Sequence, residues 1–141
     1  MSVGAIDIGT NSVRLLIADK KGEKLDRLAE EIEVPRLGAD SNEAGELKEA
    51  AIERTIKVLK KYKKIIDKFS AVPSAVATSA VREASNQQEF IRRVKQETNI
   101  KINVVSGPKE AHLSYFGVVS ELSALPRKVL VVDIGGGSTE L

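Results

Sequence analysis

The chain opens on an apolar run, Val3 to Ile8, that stops at Gly9 and reads as a strand buried on both faces. Small polar residues turn the chain into a second apolar run, Val13 to Ala18. Lys21-Gly22-Glu23-Lys24 reads as a hairpin turn into a third strand, Leu25 to Val34, closed by Pro35. Three strands joined by short turns predict an antiparallel meander. The period then changes. Leu47, Ala51, Ile52, Thr55, Leu59, Tyr62, Ile66 and Phe69 recur at spacings of three and four with charges between them, which predicts a long amphipathic helix.

Beyond it, Ala75 to Ala77 is a short strand running into Thr78-Ser79. Ser85-Asn86-Gln87-Gln88 has the form of a capping box, Ser85 and Gln88 each bonding the other's backbone N–H. It opens a helix that turns Phe90, Ile91 and Val94 inward and ends near Asn99. Ile102 to Val105 is the next strand. Gly107-Pro108 starts a helix that runs to about Leu122, with Tyr115 and Phe116 as core residues. Val129 to Val132 is a last apolar strand ending in Asp133. The order is β-β-β-α-β-α-β-α and one more strand, which predicts an α/β fold, a mixed sheet covered by helices. Residues 1–124 form one domain in this reading. Residues 125–141, entered through a linker at Ser123 to Arg127, begin a second.

Composition changes this picture little. At 141 residues, 42% hydrophobic and 30% charged, the chain is an ordinary soluble domain, and with aromatics at 4% its core is built from Ile, Val, Leu and Ala. No run of about 18 apolar residues offers a membrane span, and Met1 to Asp7 lacks the pattern of a signal peptide. The absence of cysteine excludes disulfides and thiolate chemistry and suits a cytoplasmic address. A net charge of +2 gives no reason to expect nucleic acid. Lys57, Lys60, Lys61, Lys63, Lys64 and Lys68 crowd one stretch, which reads as the solvated face of a helix, the alternative being a surface that draws in a polyanion.

The chemistry lies in a repeat. Asp7-Ile8-Gly9-Thr10-Asn11-Ser12 and Asp133-Ile134-Gly135-Gly136-Gly137-Ser138 align at one offset, each an apolar strand, an acid, a tight glycine turn and a return strand. Glycine removes the β-carbon, so backbone N–H groups can converge on a phosphate while hydroxyl and amide side chains add donors. The aspartates have another task, since a carboxylate cannot accept a bond from a bare phosphate oxygen; it suits a divalent cation or an attacking water. Two unrelated hairpins with Asp and Gly in their turns are the plain alternative.

These two segments resemble the phosphate motifs of the acetate/sugar kinase, Hsp70 and actin superfamily. With Ala77-Thr78-Ser79-Ala80-Val81-Arg82-Glu83-Ala84 and Val105-Ser106-Gly107-Pro108-Lys109-Glu110-Ala111, they resemble more specifically the exopolyphosphatase and guanosine pentaphosphate phosphohydrolase (Ppx/GppA) family. The resemblance implies a ribonuclease H-like (actin-like ATPase) domain with a mixed five-stranded sheet and helices on its faces. It implies Mg²⁺-dependent removal of the terminal phosphate from polyphosphate or from guanosine pentaphosphate, with no nucleic-acid or membrane partner and a homodimer at full length. It gives Glu110 the role of general base and Arg82 that of phosphate holder, puts Asp133 and Glu140 at the metal and the catalytic water, and sets Asp7 facing them as a further metal ligand. Gly9, Thr10, Asn11, Ser12, Gly135, Gly136, Gly137 and Ser138 match the two phosphate loops. Two positions depart from the common pattern: Lys109 stands where a second acid is usual, and His112 where arginine is. Family members also continue through a second domain, so the chain resembles an N-terminal fragment, one wall of a two-walled site and a sliver of the other.

Each residue also has a bland reading. Glu110 in the first turn of a helix gains about 0.3–1 kcal/mol from the dipole alone. Arg82 suits a surface pair with Glu83 or Glu89, and His112, the lone histidine, a partly exposed packing role. Two other functions compete with hydrolysis: a superfamily kinase or ATPase, and a non-catalytic binder or regulator of polyphosphate or alarmones.

Overall fold

A computed structural model describes residues 1–22, 24–39, 45–122 and 128–141. Strands β1 (Ser2–Ile8), β2 (Val13–Lys21) and β3 (Lys24–Glu33) form the antiparallel meander. Helix α1 (Glu49–Lys68) crosses back to β4 (Val72–Ala77), parallel to β1. The short α2 (Ser79–Arg82) and α3 (Gln87–Thr98) lead to β5 (Ile102–Val104), parallel to β4. The sheet order β3-β2-β1-β4-β5 is the mixed five-stranded sheet of an actin-like, ribonuclease H-like α/β fold. Helix α4 (Gly107–Glu121) follows, then a two-stranded hairpin, β6 (Asp133–Ile134) and β7 (Thr139–Glu140).

The core lies on one face. Ile6 and Ile8 of β1 and Val13, Leu15 and Ile17 of β2 meet Ile52, Ile56, Leu59 and Ile66 of α1 and Phe90 and Val94 of α3, all essentially inaccessible to solvent. The Tyr62 hydroxyl donates to the Val13 carbonyl at 2.8 Å, pinning α1 beneath the point where β2 leaves the first glycine turn. The opposite face carries Val3, Ala5 and Asp7, all exposed. β1 is therefore covered on one face, not both. Gly4 and Ala5 are small enough to pass as apolar on either side, and this hid the alternation. On that second side α4 runs past β3, its Glu121 accepting from Arg27 at 2.8 Å.

Other expectations change for local reasons. α3 starts at Gln87 with Asn86 at its cap, and the capping box does not form. The Ser85 N–H donates to the Gly45 carbonyl instead, and the Asn86 amide brackets Leu47, accepting from its N–H and donating to its carbonyl, both at 2.9 Å. The Val129–Val132 strand does not form either; pairing begins at Asp133, because a run becomes a strand only beside a neighbour that completes its ladder. Tyr115 and Phe116 are exposed, not core: α4 mixes polar and apolar residues around its circumference and has no buried residue. Helix α2 was not foreseen. The turn residue Glu23 and the linker with its domain boundary lie outside the described residues. No helix among the described residues is long and apolar enough to cross a membrane.

The lysine stretch is a charge-balanced helix face. Lys61 bonds Glu31 and Glu33 at 2.8 Å each, Lys60 bonds Glu97 at 2.6 Å, and Lys63 pairs with Asp67 one turn on. Acids on β3, on α3 and on α1 itself answer half of the run, which weakens the field it could offer a polyanion.

Candidate active site

The two glycine turns have one geometry. The Gly9 N–H closes onto the Ser12 carbonyl at 3.0 Å, and the Gly135 N–H onto the Ser138 carbonyl at 2.9 Å. A strap after β3 holds the first turn: Arg36 N–H donates to the Asn11 carbonyl and Gly38 N–H to the Thr10 carbonyl, both at 2.9 Å. Arg36 takes a left-handed φ of 54° to do so, a strained choice for a side chain with a β-carbon. In a planar trans peptide the N–H points opposite to the carbonyl. Turning these two carbonyls toward the strap therefore aims the N–H groups of Asn11 and Ser12 away from it.

The turns meet face to face. The Thr10 and Ser79 hydroxyls bond at 2.9 Å, and a β-carbon at Gly137 would stand 2.8 Å from each of these oxygens. One at Gly136 would stand 2.5 Å from the Asn11 amide nitrogen. Only bare backbone approaches this closely. Thr10, Gly38, Ser79, Gly136 and Gly137 line a cleft of about 220 Å³ at this junction. A second cavity of about 380 Å³ lies behind the second turn, with His112, Ser114, Asp133 and Glu140 among its walls.

The charged residues come from four elements. Arg82, at the end of α2, donates from Nη1 to Glu110 Oε2 at 2.9 Å and to the Val105 carbonyl at 3.0 Å. Its Nη2 lies 3.8 Å from Glu83, too far to bond. Glu110 sits in the first turn of α4, whose cap is Ser106, accepting from the Lys109 N–H. Asp7 pairs across the sheet with Arg14, and Asp133 pairs across its hairpin with Glu140. The repeated aspartates thus have opposite partners, a cation on one wall and an acid on the other. Surrounding protein crowds the Asp7 carboxyl, although the residue as a whole remains exposed. That desolvation raises its pKa above the usual 3.8; Arg14 opposes the rise, while Glu110 and Asp133 add to it.

The structure brings Asp7, Glu110 and Asp133 within electrostatic reach of one another and puts Arg82 on Glu110. Glu140 is buried, and its Oε2 has no hydrogen-bond partner among the described residues. Among the described residues no three acidic or imidazole groups form a ready-made metal cage. An all-oxygen set with an orphaned carboxylate nonetheless fits Mg²⁺, which takes one or two carboxylates and completes its shell with water and phosphate oxygens. Lys109 and His112 are exposed, and the His112 ring stands edge-on to Phe116 at 4.6 Å. Sequence reasoning passed over Arg14, Gly38 and Ser114. Arg14 lies on the return strand just past the first turn of the repeat and Ser114 one turn after Glu110, so spacing held a signal for both; Gly38 had none.

Residues 16–141 match the Ppx/GppA phosphatase family. The bifunctional 3-dehydroquinate synthase/phosphatase of Fusobacterium nucleatum is 49% identical over 145 residues, covering 96% of this chain and 22% of that protein. Exopolyphosphatase 2 of Mycobacterium tuberculosis is 37% identical over 150 residues, covering 99% of this chain and 47% of its own length. The chain thus spans about half, or less, of the curated relatives it matches. Among solved structures, an exopolyphosphatase from Cytophaga hutchinsonii superposes with a TM-score of 0.92 at 37% identity, over 99% of this chain and 45% of its own. The Aquifex aeolicus Ppx/GppA family member gives 0.86 at 45% identity, over 99% and 45%. The ethanolamine utilization protein EutJ of Carboxydothermus hydrogenoformans, 17% identical with a TM-score of 0.57, shares the fold alone. With the fold, both turns and the Arg82–Glu110 pair in place, this chain belongs to the Ppx/GppA phosphatase family.

Proposed function

We propose that the protein hydrolyses the terminal phosphate of inorganic polyphosphate in a Mg²⁺-dependent reaction, with guanosine pentaphosphate as the other substrate of the same chemistry. The observation that carries this reading is the Arg82–Glu110 pair at 2.9 Å, beside a wall whose two acids, Asp133 and Glu140, face each other across one hairpin. Like charges placed opposite one another destabilise a hairpin. They are retained where a site needs them.

Glu110, in the first turn of α4, accepts the proton of the attacking water. Arg82 fixes that carboxylate through Nη1, and the other N–H groups of its fork suit the terminal phosphoryl group. Turn amides from Thr10 to Ser12 and from Gly136 to Ser138 hold the phosphate chain, with the Thr10, Ser12 and Ser138 hydroxyls as added donors. Asp7, Asp133 and Glu140 would hold Mg²⁺, which when bound supplies neutralisation of the phosphate charge. Positioning and charge compensation carry most of a phosphoryl transfer. A chain of linked phosphates needs no base-specific pocket, and exopolyphosphatase relatives of 37% identity favour polyphosphate first. The Fusobacterium nucleatum relative, whose name pairs a synthase with a phosphatase, supports the phosphatase chemistry without a substrate.

The test is phosphate release from polyphosphate and from guanosine pentaphosphate by the full-length protein with Mg²⁺. Glu110→Gln is expected to bind substrate and to lose about 10²–10⁴-fold in kcat. Full activity in that variant refutes Glu110 as the base. Tight anion binding without turnover by the wild type points instead to a non-catalytic binder.

A further inference from the structure

The hairpin that carries Asp133 pairs β6 with β7, apart from the five-stranded sheet. Its two acids repel one another across the pair, and Asp7 adds a third negative charge nearby. On the first wall the same repulsion is relieved by Arg14 opposite Asp7. On the second wall the relief comes from another element: the Ser114 hydroxyl donates to Asp133 Oδ2 at 2.5 Å, part-buried.

Ser114 follows Glu110 by four residues, so both lie on one face of α4, about 6 Å apart along its axis. The same stretch of helix thus carries the base and a donor to the acid of the opposite turn. A bond to one carboxylate oxygen leaves the other for a cation or water. We infer that Ser114 is the positioning residue that fixes Asp133, and with it the second glycine turn, at a set distance from Glu110. The inference rests on the hydrolytic reading of Glu110 and Asp133; the bond itself does not.

The experiment compares wild type, Ser114→Ala and Ser114→Thr in the full-length protein by two readouts. Hydrogen exchange of the 133–140 segment reports the anchor without reference to activity, and polyphosphate kinetics report its use. Ser114→Ala is expected to speed exchange in 133–140 and leave 49–68 unchanged, and Ser114→Thr, which keeps the hydroxyl, to restore protection. In kinetics Ser114→Ala is expected to lower kcat about 10-fold, the usual scale for a residue behind a site ligand. KM should change by less than about twofold, since the loss falls on the chemical step, and Ser114→Thr should recover most of kcat. Unchanged exchange in Ser114→Ala overturns the anchor. Faster exchange with wild-type kcat overturns the positioning role. If wild type hydrolyses neither substrate, the functional reading fails and exchange alone decides whether Ser114 holds the turn.

Discussion

Asp7 shows how a proposed site residue works against the fold that carries it. Its carboxyl pKa lies above 3.8 because desolvation and the charges of Glu110 and Asp133 outweigh the help from Arg14. An acid raised in this way binds its proton more tightly folded than unfolded. Stability therefore falls as pH rises from the unfolded value through the folded one, and the penalty is complete above the latter. Asp7→Asn cannot ionise, so it should match wild type below pH 3.8 and be more stable at pH 7, with Arg14's lost partner trimming the gain. Urea midpoints at pH 3 and pH 7 check this, and an equal offset at both removes the electrostatic explanation. Residues of this kind were legible from the repeat, because an acid before a tight glycine turn has few structural reasons to be there. Arg14 was less so, since an arginine on a strand has many.

At the scale of elements, caps and packing depart furthest from local pattern. Ser85 to Gln88 satisfies the capping-box spacing, yet Asn86 takes the cap position and spends its amide on Leu47 across 39 residues. Removing it in Asn86→Ala leaves a backbone donor and acceptor unpaired in a part-buried site and should cost about 1–3 kcal/mol, read as a lowered urea midpoint at constant slope. A loss under a few tenths would mean that water replaces both bonds. The long α1 is different. Its buried Ala51, Ile52, Thr55, Leu59, Tyr62 and Ile66 are among the residues the helical period selects, because one apolar stripe against one sheet face is a local property. α4 has no such stripe, and its period misassigned Tyr115 and Phe116 to the core.

For the molecule as a whole, the two turns act as one object because they touch. Gly137→Ala would place a methyl group 2.8 Å from the Thr10 and Ser79 hydroxyls and must push the walls apart. Displacement of about 1 Å at such a site costs up to about 100-fold in rate. The variant should fold normally by circular dichroism yet lose turnover of that order, and wild-type kcat would mean that the closeness of the turns is incidental. By itself the sequence determined the strand–turn repeat, the long amphipathic helix, the kind of sheet and the residue types able to handle phosphate, because turn chemistry and hydrophobic period act over a few residues. Only the tertiary structure decided who meets whom. Arg82 reaches Glu110 across 28 residues, Ser114 reaches Asp133 across 19, and Thr10 reaches Ser79 across 69. Such contacts depend on strand order and on which face each element buries. No local spacing records that information, which arises when the whole chain packs.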